Sequence, residues 1–192
     1  MVRISLSAVA AVLLMGAAAA GPREDCATPV SPCDPDPRLG CDADQAAKIA
    51  RVVEACTEVL RSVPNDLVLG QLLRLDNVYL KRGIAYASAR NFDQAFADYT
   101  RAIEINSGNA FAYLARGIAF SMFASLPGAA DHALSDYTKA IEIDPMFAEA
   151  YYRRAVQHIG GGNDDLARQD IAKAVAIDPK YVDIIKDAFF ER

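Results

Sequence analysis

The apolar residues between positions 44 and 61 recur with the spacing of an α-helix. They fall at i, i+3, i+4, i+7 and i+11 and share one helix face: Ile49, Val52, Val53, Cys56 and Leu60. The pattern predicts a helix that begins at Asp44, or with Asp42 as its cap, and ends near Arg61. Pro64-Asn65-Asp66 then breaks the chain and starts another helix. We therefore interpret residues 44–75 as a degenerate N-terminal helical pair.

From residue 76 onward the chain repeats itself three times. The first half of each repeat places an arginine three residues after a tyrosine and before a small residue: Tyr79, Arg82 and Gly83, then Tyr113, Arg116 and Gly117, then Tyr151, Arg154 and Ala155. The second half places an aspartate three residues after an alanine and before a bulky residue: Ala95, Asp98 and Tyr99, then Ala133, Asp136 and Tyr137, then Ala167, Asp170 and Ile171. We interpret the two halves of each repeat as the two helices of a hairpin. The bulky residues of one hairpin cannot be buried within that hairpin alone, so neighbouring hairpins must stack.

This pattern resembles the tetratricopeptide repeat, with a bulky residue at position 4, a small one at 8, alanine at 20 and 27, an aromatic at 24 and proline at 32. The units are residues 76–109, 110–147 and 148–181. The resemblance implies an all-α fold, a right-handed α-solenoid of stacked antiparallel helix hairpins. We expect residues 182–192 to add a capping helix.

The second unit is longer than the other two. Sixteen residues separate Gly117 from Ala133, whereas twelve separate Gly83 from Ala95. Four residues make about one helical turn. We expect a longer first helix, ending near Ala124, followed by a longer loop around Pro127-Gly128.

The first twenty residues have the composition of a secretory signal peptide. Arg3 is followed by an uncharged apolar run from Ile4 to Ala20, which ends in three alanines. We expect cleavage near Ala20–Gly21, a periplasmic or secreted mature chain and no membrane association after cleavage; a retained N-terminal anchor is the alternative. The net charge of −5 disfavours nucleic acid as a partner.

All four cysteines precede residue 57, and an even number in an exported chain suggests disulfides: Cys26, Cys33, Cys41 and Cys56. Residues 21–43 form an irregular arm rich in proline, aspartate and cysteine. Cys41 lies too far along the chain from Cys56 to reach it across the predicted helix. We expect Cys56 to pair with Cys33 or Cys26, with a free buried thiol as the alternative. The spacings do not fit zinc, and no cofactor or metal site is expected.

Each repeat carries one arginine and one aspartate on facing helices. The pairs are Arg82 with Asp98, Arg116 with Asp136, and Arg154 with Asp170. Recurrence in three copies favours a structural ion pair over a ligand site.

The sequence lacks a catalytic constellation, since its two histidines have no suitably spaced carboxylate or nucleophile, and we expect no enzyme. The resemblance implies protein–protein interaction through a concave groove, lined at positions 2, 5, 9 and 12 of the first helices. The predicted groove residues are Asn77, Leu80, Ile84, Phe111, Leu114, Ile118, Tyr152 and Val156. They are mostly apolar, so the expected occupant is an apolar or amphipathic segment of another protein. The clamp that some members use for carboxylate tails is absent, since Leu80 and Ile84 occupy its positions. The alternatives are a self-associating repeat domain or homo-oligomer, and a thiol-redox protein. The groove could also already be filled by the arm of residues 21–43, by the N-terminal helix or by a second copy of the chain.

Overall fold

The computed structural model describes Cys26 and residues 43–63, 74–123 and 125–182, and within these ranges all regular structure is helical. The helices are α1 (Ala43–Arg61), α2 (Leu75–Ser88), α3 (Phe92–Ile105), α4 (Ala110–Met122), α5 (Ala129–Ile143), α6 (Ala148–Gly160) and α7 (Asp164–Ile177). The predicted signal peptide, the arm apart from Cys26 and Ala43, the second half of the N-terminal pair and the capping helix beyond Val182 lie outside the described residues.

Three helical hairpins stack in chain order behind α1. Helices α2 and α3, α4 and α5, and α6 and α7 pack on each other, and each hairpin then packs its second helix on the first helix of the next. The first helices also touch their counterparts in the next hairpin, from α2 to α4 and from α4 to α6. The second helices make no comparable contacts within the described ranges. The stack is therefore a solenoid that curves with α2, α4 and α6 on its inner side.

Close approach within the first two hairpins depends on a glycine that faces a tyrosine. A Cβ added at Gly83 would lie 2.7 Å from Cε1 of Tyr99, and one at Gly117 would lie 2.7 Å from Cε1 of Tyr137. Both tyrosines are almost fully buried. In these two hairpins the first helix has no side chain at this position, which leaves room for a large buried aromatic ring on the second helix.

Aromatic side chains fill the space between the first two hairpins. Phe92 of α3 stacks on Phe123, with ring centroids 5.4 Å apart, and Phe96 of α3 stacks on Phe120 of α4 at 4.5 Å. Each such pair contributes about 0.5–1.5 kcal/mol beyond the burial of its area. These contacts fix the position of α4 relative to the first hairpin.

The longer first helix expected in the second unit is wrong. Helix α4 contains 13 residues, no more than α6, and it ends at Met122. Of the four inserted residues, three lengthen the connection to α5 and one extends the start of α5. Gly128, which has a left-handed conformation, directly precedes α5. Pro127 and Gly128 end the turn, so the insertion changes the loop and leaves the packed face of α4 in register.

A buried polar network joins the first hairpin to the second. The carboxylate of Asp76, at the start of α2, is almost fully buried. Its Oδ2 accepts hydrogen bonds from Nδ2 of Asn106 at 2.8 Å and from Nδ2 of Asn109 at 2.9 Å. Oδ1 of Asn109 also accepts from the backbone N–H of Ala112 and so caps α4. The cap is therefore held in place by a side chain of the preceding repeat.

None of the helices in the described ranges combines the length and the apolar composition that crossing a bilayer requires.

Candidate functional site

The candidate site is the groove face, which we define as the residues at positions 2, 5, 9 and 12 of α2, α4 and α6. The curvature of the stack places these helices on its inner side. The structure divides the eight predicted residues into exposed, intermediate and buried members.

Leu80 and Leu114, at position 5 of their units, belong to the core. Their exposed fractions are 8% and 7%, and each lies in a hydrophobic cluster with buried residues of the hairpins. The expectation that position 5 is free for a partner is therefore wrong for these two residues. A replacement of Leu114 would test core packing, because truncating a buried leucine costs about 2–5 kcal/mol.

Exposed apolar side chains occur in all three units of the groove face. Phe111 is 60% exposed, Val156 is 42% exposed and Ile84 is 37% exposed. Ile118 and Tyr152 are half-buried, as is Asn77. Single exposed apolar residues are ordinary on protein surfaces, but these three occupy matching helix faces in successive repeats.

Met122 extends this apolar surface and was missed by the sequence reasoning. It is 48% exposed at the end of α4, one residue beyond the groove position of Ser121. Extending the set of groove positions in each repeat unit to position 13 would have included Met122. Methionine adapts its shape to varied apolar partners, so it suits a binding surface.

Aromatic contacts hold two of the groove side chains in place. The ring of Phe111 lies 4.7 Å from that of Phe147, which precedes α6, and the ring of Tyr152 lies 5.2 Å from that of Tyr181. The Tyr181 hydroxyl donates to Oε2 of Glu149. Phe111 is thus supported on one side and open on the other, which lowers the entropy cost of contact with a partner.

The polar groups on this face are largely satisfied by each other. Oγ of Ser121 lies 2.9 Å from the hydroxyl of Tyr137 and donates to Oε1 of Gln157 at 3.1 Å. Burial raises the pKa of Tyr137, which keeps this hydroxyl protonated. Nδ2 of Asn109 approaches Oδ1 of Asn77 at 3.5 Å. These contacts connect the units along the groove face.

The groove face carries little charge. Arg153 follows Tyr152 and pairs with Glu149, its Nε lying 2.7 Å from Oε1 of the carboxylate. Lys81 follows Leu80 in the first unit, and Ala115 takes the matching place in the second. Apolar contact therefore dominates what this surface offers to a partner.

The three predicted ion pairs are present as bidentate contacts. Nε and an Nη of Arg82, Arg116 and Arg154 each donate to a carboxylate in the same hairpin, at 2.7–2.8 Å: Asp98, Asp136 and Asp170. These hydrogen bonds raise the pKa of each arginine. The aspartates are buried, so the pairs fix the hairpin geometry and are not available to a ligand.

Each arginine also reaches back to the preceding helix, which sequence reasoning missed. Nη1 of Arg116 donates to Thr100 and Nη1 of Arg154 donates to Thr138, at 3.3 and 3.1 Å. Nη1 of Arg82 donates to Thr57 of α1 at 3.0 Å. The threonine that follows the tyrosine in the first two repeats was the available signal.

Two of the four cysteines lie within the described residues and they meet. The Sγ atoms of Cys26 and Cys56 are 2.10 Å apart, a bonding distance. Cys26 is one of the two partners expected for Cys56. Cys33, the other expected partner, and Cys41 lie outside the described residues.

The histidines have structural surroundings. His132 stacks on Phe120 with ring centroids 5.0 Å apart, and Nε2 of His158 lies 3.9 Å from Asp170, whose carboxylate Arg154 already holds. Nδ1 of His158 is buried without a hydrogen-bond partner. Within the described ranges, no three histidine, cysteine or acidic side chains group as a metal site would require.

A family model for the tetratricopeptide repeat matches residues 76–109 and 148–181, the first and third units. A comparison with curated protein sequences finds no match. Among solved structures, the chain is similar to the Arabidopsis OM64 TPR domain, at 26% identity and a TM-score of 0.53, over 59% of this chain and 92% of that one.

Two further solved structures share the fold. The second TPR of Spaghetti (RPAP3), bound to the HSP90 peptide SRMEEVD, is 23% identical with a TM-score of 0.52, over 57% of this chain and 98% of that one. YrrB, a TPR protein with an unusual peptide-binding site, is 21% identical with a TM-score of 0.55, over 69% of this chain and 62% of that one.

Proposed function

The chain is a tetratricopeptide repeat protein, and from that premise we propose that it is a non-catalytic module that binds another protein through its groove face. One observation carries the proposal: Ile84, Phe111 and Val156 expose apolar side chains on matching faces of three successive repeats. The fold neighbours solved with a bound peptide or a peptide-binding site support a protein ligand by analogy of fold.

The proposed ligand is an apolar or amphipathic segment of the partner. The first helices line one curved surface, and such a groove fits a helix or an extended segment whose apolar side chains repeat along it. Phe111, supported by Phe147, is the proposed central anchor because rigid, partly exposed aromatics contribute most at interfaces.

The clamp for carboxylate tails has no counterpart in this groove. Leu80 is buried and Ile84 is apolar, so neither side chain can bind a carboxylate. An acidic tail is therefore not the proposed ligand, even though one fold neighbour is solved with the peptide SRMEEVD.

We also place this function in the periplasm or outside the cell. The charge and apolar pattern of residues 1–20 supports export, and disulfides persist in such compartments. Thiol-redox catalysis is less well supported, because Cys26 and Cys56 are both buried and a reactive thiolate needs access to its substrate.

Site-specific photo-cross-linking tests the groove. With benzoylphenylalanine in place of Phe111, we expect a cross-link to a protein other than this chain in the compartment where the chain resides. The same probe in place of Leu166 is the matched control, because Leu166 is an apolar residue on α7 with 47% exposure.

Substitution tests the energy of the same contact. We expect Phe111→Ser with Val156→Ser to keep the melting temperature within a few degrees and to weaken partner binding at least about tenfold, as loss of an interface anchor does. Leu166→Ser should leave binding unchanged. A cross-link from position 111 only to a second copy of the chain would support self-association, and equal cross-linking from both positions would contradict the groove.

A further inference from the structure

Helix α1 occupies the place of the second helix of a repeat that precedes the first unit. Thr57 accepts a hydrogen bond from Arg82 in the way that Thr100 accepts from Arg116. Helix α1 also packs on α2 as α3 packs on α4. The threonine contact therefore fixes the register of α1 relative to the three complete repeats.

In this register Cys56 replaces the buried tyrosine. The residue before Thr100 is Tyr99 and the residue before Thr138 is Tyr137, whereas the residue before Thr57 is Cys56. The repeat proline agrees, because Pro145 lies eight residues after Tyr137 and Pro64 lies eight residues after Cys56.

The contact that the tyrosine makes shows what Cys56 should face. In the first two repeats the ring lies on the glycine of the first helix of its own hairpin, as Tyr99 lies on Gly83. Sγ of Cys56 instead meets Sγ of Cys26, and the two Cα atoms are 4.9 Å apart. Cys26 thus stands where the small residue of a first helix would stand.

Cys26 also belongs to the packing between α1 and α2. It lies in one hydrophobic cluster with Ile49, Val52 and Cys56 of α1 and with Ala85 of α2. Ile84 of the groove face is 37% exposed and directly precedes Ala85 on α2. Contacts that hold Cys26 against Ala85 therefore also support the helix that carries Ile84.

We propose that the disulfide between Cys26 and Cys56 takes the place of the glycine–tyrosine contact in a degenerate repeat before the first unit and keeps α1 docked on α2. The two S–H bonds are lost and one S–S bond forms, while two electrons and two protons pass to a disulfide donor that becomes a dithiol. The cross-link stabilises this docking because it restricts the unfolded N-terminal segment.

Hydrogen exchange of the purified full chain tests this role, and it needs no partner, so the result is independent of the proposed function. Breaking the bond with a phosphine reductant should speed exchange of the α1 amides about five hundredfold, as expected for loss of a cross-link of this loop length. Exchange in α5 and α6 should not change.

The variant Cys26→Ser provides the second arm. It should show the fast α1 exchange without reductant, and adding reductant should change nothing further, which excludes Cys33 and Cys41 as the cause. If that variant fails to fold, the reduced natural chain still decides the question. The proposal is overturned if α1 exchange is the same before and after reduction, if α5 and α6 lose protection together with α1, or if non-reduced peptide mapping links Cys56 elsewhere.

Discussion

Single small residues determine how closely the helices of each hairpin approach. Gly83 and Gly117 have negative φ, so their role is steric: each leaves room for a buried tyrosine ring. Both positions lie inside helices, where alanine is intrinsically favoured over glycine by about 1 kcal/mol. The packing requirement therefore opposes the helix propensity at these sites.

Gly83→Ala tests which effect is larger. The added Cβ would lie 2.7 Å from the Tyr99 ring, so we expect a net loss of about 1–3 kcal/mol in the free energy of unfolding, as overpacking of a core causes. Urea denaturation measures this difference.

Gly160→Ala is the matched control. Gly160 is also helical, at the end of α6, and an added Cβ would meet nothing within 4 Å. Here we expect stability to be unchanged or raised by up to about 1 kcal/mol. Equal effects of the two substitutions would contradict the steric explanation.

At the scale of the helix, the arginines connect three elements each. Arg116 pairs with Asp136 in its own hairpin, reaches Thr100 in the preceding helix and lies over the ring of Tyr113, 5.7 Å from its centroid. This one side chain therefore joins the two helices of its own hairpin and also holds that hairpin against the preceding helix. The recurrence in Arg82 and Arg154 makes this the repeated joint of the stack.

Asp136→Ala should destabilise the protein by about 2–4 kcal/mol, because it leaves a largely buried guanidinium without its partner. Combining it with Arg116→Met should recover more than half of that loss. Chemical denaturation of the two single variants and the double variant gives the coupling energy.

The surface pair of Lys139 and Glu142 is the control for this cycle. Both side chains are about half exposed, so Glu142→Ala should cost less than about 0.5 kcal/mol. A similar cost for Asp136→Ala would show that the buried joint is not important for stability.

At the scale of the whole molecule, stability is shared along the stack because, among the described helices, each hairpin contacts only its neighbours. At the C-terminal end, buried Tyr181 packs with Ala174 against the last hairpin. At the N-terminal end, Cys26 packs on α1.

The proposed export of the chain can be tested directly. We expect the mature protein to begin at Gly21 and to be found in the soluble periplasmic or secreted fraction, because small residues precede the proposed cleavage site. N-terminal sequencing of the purified protein measures this.

Ala20→Arg serves as the companion variant, since a large charged residue at the cleavage site should leave the leader attached. An unmodified chain that keeps Met1 and stays with membranes would show instead that the apolar run is a permanent anchor.

The sequence alone determined the repeat units, their helices and the three arginine–aspartate pairs. Each depends on a residue type that recurs at fixed spacing, and such recurrence exposes both the period and the contacts that every copy must make. The helix from residue 44 to Arg61 followed from one apolar stripe, and the structure moves its start by one residue, to Ala43.

Only the tertiary structure decided which groove residues are free. Leu80 and Ile84 are both apolar residues of the same predicted face, yet the exposed fraction is 8% for one and 37% for the other. That difference depends on how the next hairpin covers α2, a long-range contact that no local pattern encodes. The choice of Cys26 for Cys56 and the location of the insertion in the loop after α4 were likewise decided by packing between distant segments.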